Sequence, residues 1–239
     1  MQDIFQIDDI DLAGRLGRIR TKRGEVQTPA FLPVIHPYNQ QLPVKEIEQI
    51  GFQAVMTNAY ITMKKFGDDA RKRGIHDIIR FEGPIMTDSG GYQVLEYGEV
   101  ETNPLEMAEF EEEIGSDLAI ILDTPTGRSN SEQDAKKSVE LTLSACRETL
   151  EGLKTRNAIW IGPVQGGRFL DLVEESAKEI SIMDFEMVAL GSPTVVMEAY
   201  NFTLLAKMIL AAKRKIPPEK PFHLFGLGHP LPLSLAVAL

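Results

Sequence analysis

Near-continuous apolar stretches recur along the chain at a spacing of roughly 30 residues, the length of one strand-helix unit. They are Ala30 to Ile35, Gln53 to Thr57, Ile85 to Thr87, Leu118 to Leu122, Ala158 to Val164, Met187 to Leu190 and Phe222 to Leu227. Their lack of polar alternation predicts strands covered on both faces, the habit of a parallel sheet. Helical signals fill most of the intervals: Val44 to Ile50, Pro104 to Ile114, Ser131 to Leu153, Phe169 to Ile180 and Phe202 to Lys215. Asn103 is placed to cap the second of these with Pro104 at its first position, and Pro217-Pro218 stops the last.

About seven β-α units fit the α/β class, and within it a TIM (β/α)8 barrel that is incomplete by one strand. A doubly wound sheet fits less well, because no Gly-x-Gly-x-x-Gly follows the first strand. Seven strands cannot close an eight-stranded barrel without leaving exposed edges. Ahead of the repeat, Leu16 to Thr21 and Glu25 to Thr28 flank the turn Lys22-Arg23-Gly24. That pattern predicts an antiparallel hairpin, within residues 1–29, closing the bottom of the barrel. No linker or low-complexity stretch interrupts the chain, so 1–239 reads as one domain. The run Glu109 to Glu113 reads as a solvated helix face.

Composition narrows the function. With 239 residues, 43% of them apolar, the chain can fill a substantial core and is no disulfide miniprotein. Its 25 Lys+Arg against 35 Asp+Glu give a net charge of −10, which excludes a generic nucleic-acid-coating body and leaves only local basic patches to meet RNA. Two clusters qualify, Arg15, Arg18, Arg20, Lys22 and Arg23 on the hairpin, and Lys64, Lys65, Arg71, Lys72 and Arg73. The first lies away from the rim and reads as ordinary solvated charge. The single cysteine, Cys146, can make neither an internal disulfide nor a cysteine-based zinc site and suits a reducing, cytoplasmic setting. The N-terminus lacks a signal-peptide pattern, and Gly226, Gly228, Pro230 and Pro232 break the least charged stretch, so no membrane partner is expected. His36, His76 and His223 show no ligand spacing and are expected to pack or cap; His229 is a weak site candidate.

Active groups of such a barrel project from the carboxyl ends of its strands. Those ends here carry Thr57-Asn58, Thr87-Asp88-Ser89-Gly90-Gly91-Tyr92-Gln93, Asp123-Thr124-Pro125-Thr126, Gln165-Gly166-Gly167, Gly191-Ser192-Pro193 and Gly226-Leu227-Gly228-His229. An Asp at a strand end is often only a helix cap. Neighbouring strands, however, would place Asp88, Asp123 and Gln165 on one rim. Two carboxylates can act as acid and nucleophile at a glycosidic carbon. Alternatively, carboxylates and an amide match the edge of guanine, which offers donors at N1 and the 2-amino group and an acceptor at O6. Both readings meet in N-glycoside chemistry, and Tyr92 and Phe225 are candidates to sandwich a flat base.

Thr87-Asp88-Ser89-Gly90-Gly91-Tyr92-Gln93, then Val164-Gln165-Gly166-Gly167, then Phe225-Gly226-Leu227-Gly228-His229-Pro230 together resemble the tRNA-guanine transglycosylase family, in detail its archaeal branch. The resemblance covers essentially the whole chain. It implies that Asp88 contacts the base and handles protons, that Asp123 and Gln165 read the base edge, and that the Gly191 backbone amide meets the base. It further implies that Tyr92 and Phe225 stack and that Ser89 lines the pocket. The implied reaction replaces a D-arm guanine of tRNA, at position 15, with 7-cyano-7-deazaguanine (preQ0) on the route to archaeosine, through a covalent ribosyl-enzyme intermediate. The implied partners are tRNA, guanine and the 7-deazaguanine base, and the family also allows a homodimer. By the same resemblance, the nucleophilic Asp and the ligands of a structural zinc lie beyond Leu239. The 239 residues alone are therefore expected to hold no metal or other cofactor and to bind base without exchanging it. Two other functions compete: a non-catalytic base- or tRNA-binding subunit of a two-chain transglycosylase, and an unrelated barrel enzyme for a phosphorylated small molecule. The latter wants a phosphate loop, for which Gly226-Leu227-Gly228 is a faint substitute.

Overall fold

The computed structural model describes residues 4–91, 102–127 and 130–239. All seven expected strands form, as β4 (Val34–Ile35), β5 (Val55–Asn58), β6 (Ile85–Asp88), β7 (Leu118–Ile120), β8 (Ile159–Val164), β9 (Met187–Leu190) and β10 (Phe222–Leu224). They pair in parallel in strict chain order, giving one curled seven-stranded sheet of an incomplete barrel. Helices run between them: α1 (Val44–Ile50), α2 (Ala59–Phe66), α3 (Asp68–Arg73), α4 (Ile75–Ile79), α5 (Pro104–Glu113), α6 (Glu132–Gly152), α7 (Leu170–Ile182), α8 (Pro193–Glu198), α9 (Phe202–Lys213) and α10 (Pro230–Ala238).

The strands bury both faces, which is why their sequences run apolar without alternation. Met56, Met86, Leu118, Ile120, Ile159, Ile161, Met187 and Ala189 point into the barrel, whereas Ala119, Trp160, Val188 and Leu190 meet the helices. The helix starts follow local chemistry. Asn58 caps α2, its side-chain oxygen accepting from the Ile61 amide at 2.7 Å; Asn103 does the same for α5, and Ser131 with Asp134 closes a capping box on α6.

The expected N-terminal hairpin is present as β2 (Gly14–Thr21) and β3 (Gly24–Thr28), but a third strand, β1 (Phe5–Asp11), pairs with β2 to make a three-stranded antiparallel sheet. Phe5, Ile19 and Val26 of this sheet pack on Ala54, Leu118, Ile159 and Met187 at the amino ends of the barrel strands and close the bottom. Three arginines of the hairpin's basic cluster are held by neighbours: Arg18 pairs with Asp8 at 2.8 Å and Arg20 with Glu25 at 3.0 Å. Arg15 donates to the Pro218 and Lys220 carbonyls.

The Glu109 to Glu113 run is not the solvated face its charge suggested. Glu113 is exposed, but Glu111 is fully buried and accepts a hydrogen bond from the Thr87 hydroxyl at 2.7 Å. Glu112 accepts from the Asn157 and Ala158 amides and from Trp160 Nε1 at 3.1 Å. Each carboxylate is drawn inward because a neighbouring element supplies donors that a solvated helix face would not.

Among the described residues, β4 and β10 are the two edges of the large sheet and do not pair with each other. A cavity of about 380 Å3 lies inside the barrel at this opening, lined by Phe31 and Val34 on one side and Phe222 and Leu224 on the other.

Candidate active site

The carboxyl ends of β5 to β9 converge on one polar rim. Asp88 ends β6, and its register partner on β5 is Asn58. One Asp88 oxygen accepts from the Gly90 amide at 3.1 Å, while the Asn58 amide reaches the other at 3.5 Å, the outer limit of a hydrogen bond. Gly90 takes a φ of +102°, a conformation open to glycine, and so turns its N–H back onto the carboxylate.

Asp123 follows β7 and Gln165 follows β8, and the Gln165 amide donates to the Asp123 carboxylate. The amide cannot be flipped. Its Oε1 faces two donors, the Thr126 backbone N–H at 3.1 Å and the Ser192 hydroxyl at 3.2 Å, and a backbone N–H can only donate. The Ser192 hydroxyl hydrogen can serve only one acceptor at a time, and the Thr126 carbonyl at 2.8 Å shares it. Gln165 is 1% exposed, so this clamp fixes its NH2 toward the rim.

Burial and charge tune the carboxyls. Asp123 is pushed up to about 7, chiefly by desolvation and then by the negative charge of Asp88, against the lowering effect of the Gln165 hydrogen bond. Asp88 is raised by burial, partly offset by Gly90 and Asn58. Glu111, behind the rim, is raised well above the ordinary range, first by desolvation and further by Asp88 and Glu112. Two like charges close together in a desolvated rim favour proton uptake, and carboxyls displaced in this way mark sites of chemistry more often than ordinary surface.

Ser89 is 0% exposed and its hydroxyl has no hydrogen-bond partner among the described residues. Two glycines make room. A Cβ at Gly91 would overlap the Asp123 carboxylate, and one at Gly191 would overlap the Gln165 amide. The Gly191 amide itself is taken by the Val164 carbonyl at 2.8 Å. Phe225 lies past β10, half-buried, with its ring edge-on to His223 at 5.1 Å. Tyr92 lies outside the described residues. Of the histidines, His36 accepts from the Asn39 amide at 3.1 Å, His76 lies 2.9 Å from Asp117, and His229 caps α10 by accepting from the Leu231 amide at 3.2 Å.

Beside Asp88 a second cavity of about 300 Å3 opens, lined by His36, Pro37, Gln40, Asn58, Ile61 and Asp88 among others. Three residues that the sequence placed on the rim without a role thus acquire one: Asn58 beside Asp88, and Thr126 and Ser192 as the clamp on Gln165. Among the described residues no group of three or more His, Cys, Asp or Glu side chains is placed to hold a metal, and Cys146 is buried in the helix-facing core.

The chain is 47% identical over 237 residues to a protein of Aeropyrum pernix described as tRNA-guanine(15) transglycosylase, an alignment covering 99% of this chain and 46% of that one. Proteins with the same description are 42% identical in Sulfolobus acidocaldarius, over 98% of this chain and 47% of theirs, and 40% identical in Nanoarchaeum equitans, over 98% and 56%. The chain spans about half the length of the curated relatives it matches. The family model for queuine tRNA-ribosyltransferase matches residues 9–239, which takes in the whole seven-stranded sheet and every rim residue named above. This chain belongs to the queuine tRNA-ribosyltransferase (TGT) family.

Proposed function

We propose that this chain carries the base-recognition centre of a tRNA-guanine(15) transglycosylase, a pentosyltransferase that exchanges guanine in the D-arm of tRNA for 7-cyano-7-deazaguanine in archaeosine formation. The observation that supports it best is the Asp123–Gln165 pair, locked by Thr126 and Ser192 beside Asp88. An ionised Asp123 accepts from guanine N1–H and the 2-amino group, and the clamped Gln165 NH2 donates to O6. A 7-deazaguanine keeps that edge, so the same residues serve the outgoing and the incoming base. Ser89, buried with a free hydroxyl, adds a polar contact, and Phe225 flanks the ring. Gly191 contributes space rather than a donor, since its N–H is spent within the sheet.

In the exchange, a carboxylate attacks C1′ of the ribose and the C1′–N9 bond breaks, its electrons going to the departing guanine. Asp88, raised by burial, is suited to hold the proton that the leaving base takes up and to recover one from the incoming base. We assign the attacking carboxylate, and any structural zinc, to residues outside 1–239. The reading belongs to a cytoplasmic enzyme; among the described residues no helix is long and apolar enough to cross a membrane. The test is incorporation of labelled guanine into tRNA by the protein as its gene encodes it. Loss of exchange in Asp88→Asn with guanine affinity kept within about tenfold supports the assignment, and full exchange by that variant sinks it.

A further inference from the structure

The base-exchange reading leaves unexplained an exposed aromatic residue packed against the lining of the smaller cavity. Tyr38 is 54% exposed although it sits in an ordered turn: its amide and that of Asn39 point at His36 Nδ1, and the Gln40 side chain accepts from the His36 amide at 2.9 Å. The ring packs edge-on against His36, with centroids 4.5 Å apart, and against Phe66 at 6.4 Å. His36 and the adjacent Pro37 line the cavity that reaches Asp88, so Tyr38 is the next ring outward from the site.

Lys65, in the last turn of α2, holds its ammonium 5.0 Å from the centre of the Tyr38 ring. It is exposed, and among the described residues it makes no ion pair, whereas Arg71 and Arg73 nearby are bound by Asp68, Glu113, Asp69 and Asp77. In a chain of net charge −10, an unpaired cation parked on an exposed ring beside the cavity's His36 is ready for an anion. A surface cation-π contact is weak, so a phosphate can draw the ammonium away and free the ring face.

We propose that Tyr38 and Lys65 form a docking point for the tRNA strand beside the excised guanine, the ring stacking on a flanking base and the ammonium contacting a phosphate. This rests on the base-exchange reading and extends it from the base to the strand that carries it. A nucleotide turned into the rim past Asp88 leaves its neighbours over the His36 to Gln40 turn. Stacking on Tyr38 is indifferent to which base follows, which suits a strand gripped by its backbone and recognised at one nucleotide.

The experiment compares wild type, Tyr38→Ala, Tyr38→Phe and Lys65→Ala for affinity to tRNA across a salt series and to free guanine. Tyr38→Ala should bind tRNA about tenfold more weakly and Tyr38→Phe nearly normally, because stacking needs the ring and not the hydroxyl. Lys65→Ala should lower the slope of log affinity against log salt by about 1. Guanine affinity should stay within about twofold in all three, as expected where no contact to the base is lost. Unchanged tRNA affinity in Tyr38→Ala, or an unchanged salt slope in Lys65→Ala, overturns the proposal. If Tyr38→Ala loses guanine binding too, its turn has collapsed and the Lys65→Ala slope alone decides. Asp123→Ala is the control for the underlying reading: if it retains guanine affinity, the base pocket has failed, whatever Tyr38 does.

Discussion

Asp123→Asn tests Asp123 as a base-reading carboxylate, because removing the buried charge should raise stability and weaken base binding together. In the folded chain the Asp123 carboxyl lies at about 7 against an ordinary 3.8. The native state therefore binds more protons than the unfolded state between about pH 4 and 7, and stability contributed by this group falls as pH rises through that window. Holding the charged form at pH 8 costs about 4 kcal/mol for a displacement of this size. The carboxylate is half-buried at the rim rather than sealed, and screening by solvent trims the cost to about 2–3 kcal/mol. Asparagine keeps the shape and an acceptor for the Gln165 amide but cannot ionise. Asp123→Asn should thus leave stability near wild type at pH 3, below the ordinary carboxyl value, and raise it by about 2–3 kcal/mol at pH 8. It should at the same time lose guanine, since one acceptor becomes a donor facing the donors at N1 and the 2-amino group. The expected loss is about 2–4 kcal/mol, at least thirtyfold in affinity. Urea unfolding at the two pH values and calorimetry with guanine at pH 8 measure both. A variant of equal stability at both pH values relative to wild type, with unchanged guanine affinity, would refute the reasoning and remove Asp123 from the base site.

Three further outcomes follow from the same geometry. Gly191→Ala should push the Gln165 amide off its clamp and cut guanine affinity about tenfold or more, by calorimetry, because a Cβ there overlaps that amide. Asn58→Ala should cost about 1 kcal/mol in urea unfolding through the lost α2 cap, and should also raise the Asp88 carboxyl further, since a hydrogen bond that lowers it is removed. Glu111→Ala should cost about 2–4 kcal/mol in urea unfolding, from the cavity it leaves and the lost bond between the Thr87 hydroxyl and a buried carboxyl; Glu111→Gln, which keeps the shape and an acceptor for that hydroxyl while removing a charge that burial disfavours, should cost much less.

The strands were legible because a sheet buried on both faces writes itself as uninterrupted apolar runs, and the rim residues were legible because each such run ends on one. Three features escaped for physical reasons. β1 carries Asp8, Asp9 and Asp11, which break its alternation, and the setting of Asp8 depends on Arg18 from the next strand. The interval after β5 is helical, but Gly67 at φ +48° and Gly74 at φ +81° cut it into three pieces too short to show a helical period. Glu111 looks solvated in the sequence because its burial is decided by Thr87, from another element. The candidate site divides the same way. Asp88, Asp123 and Gln165 could be placed on one rim by counting strands, but the orientation of the Gln165 amide needed Thr126 and Ser192, which only folding brings to it.

The central claim is that Asp123 and Gln165 read a guanine edge, and the most direct test is to remove one group from that edge. Hypoxanthine is guanine without the 2-amino group, so it forfeits one hydrogen bond to a charged acceptor, worth about 1.5–3 kcal/mol. Calorimetric titration of the protein at pH 8 should show guanine binding about 10- to 100-fold more tightly than hypoxanthine, with adenine, whose edge presents the opposite pattern, not binding. Equal affinities for guanine and hypoxanthine, or binding of adenine, would contradict it.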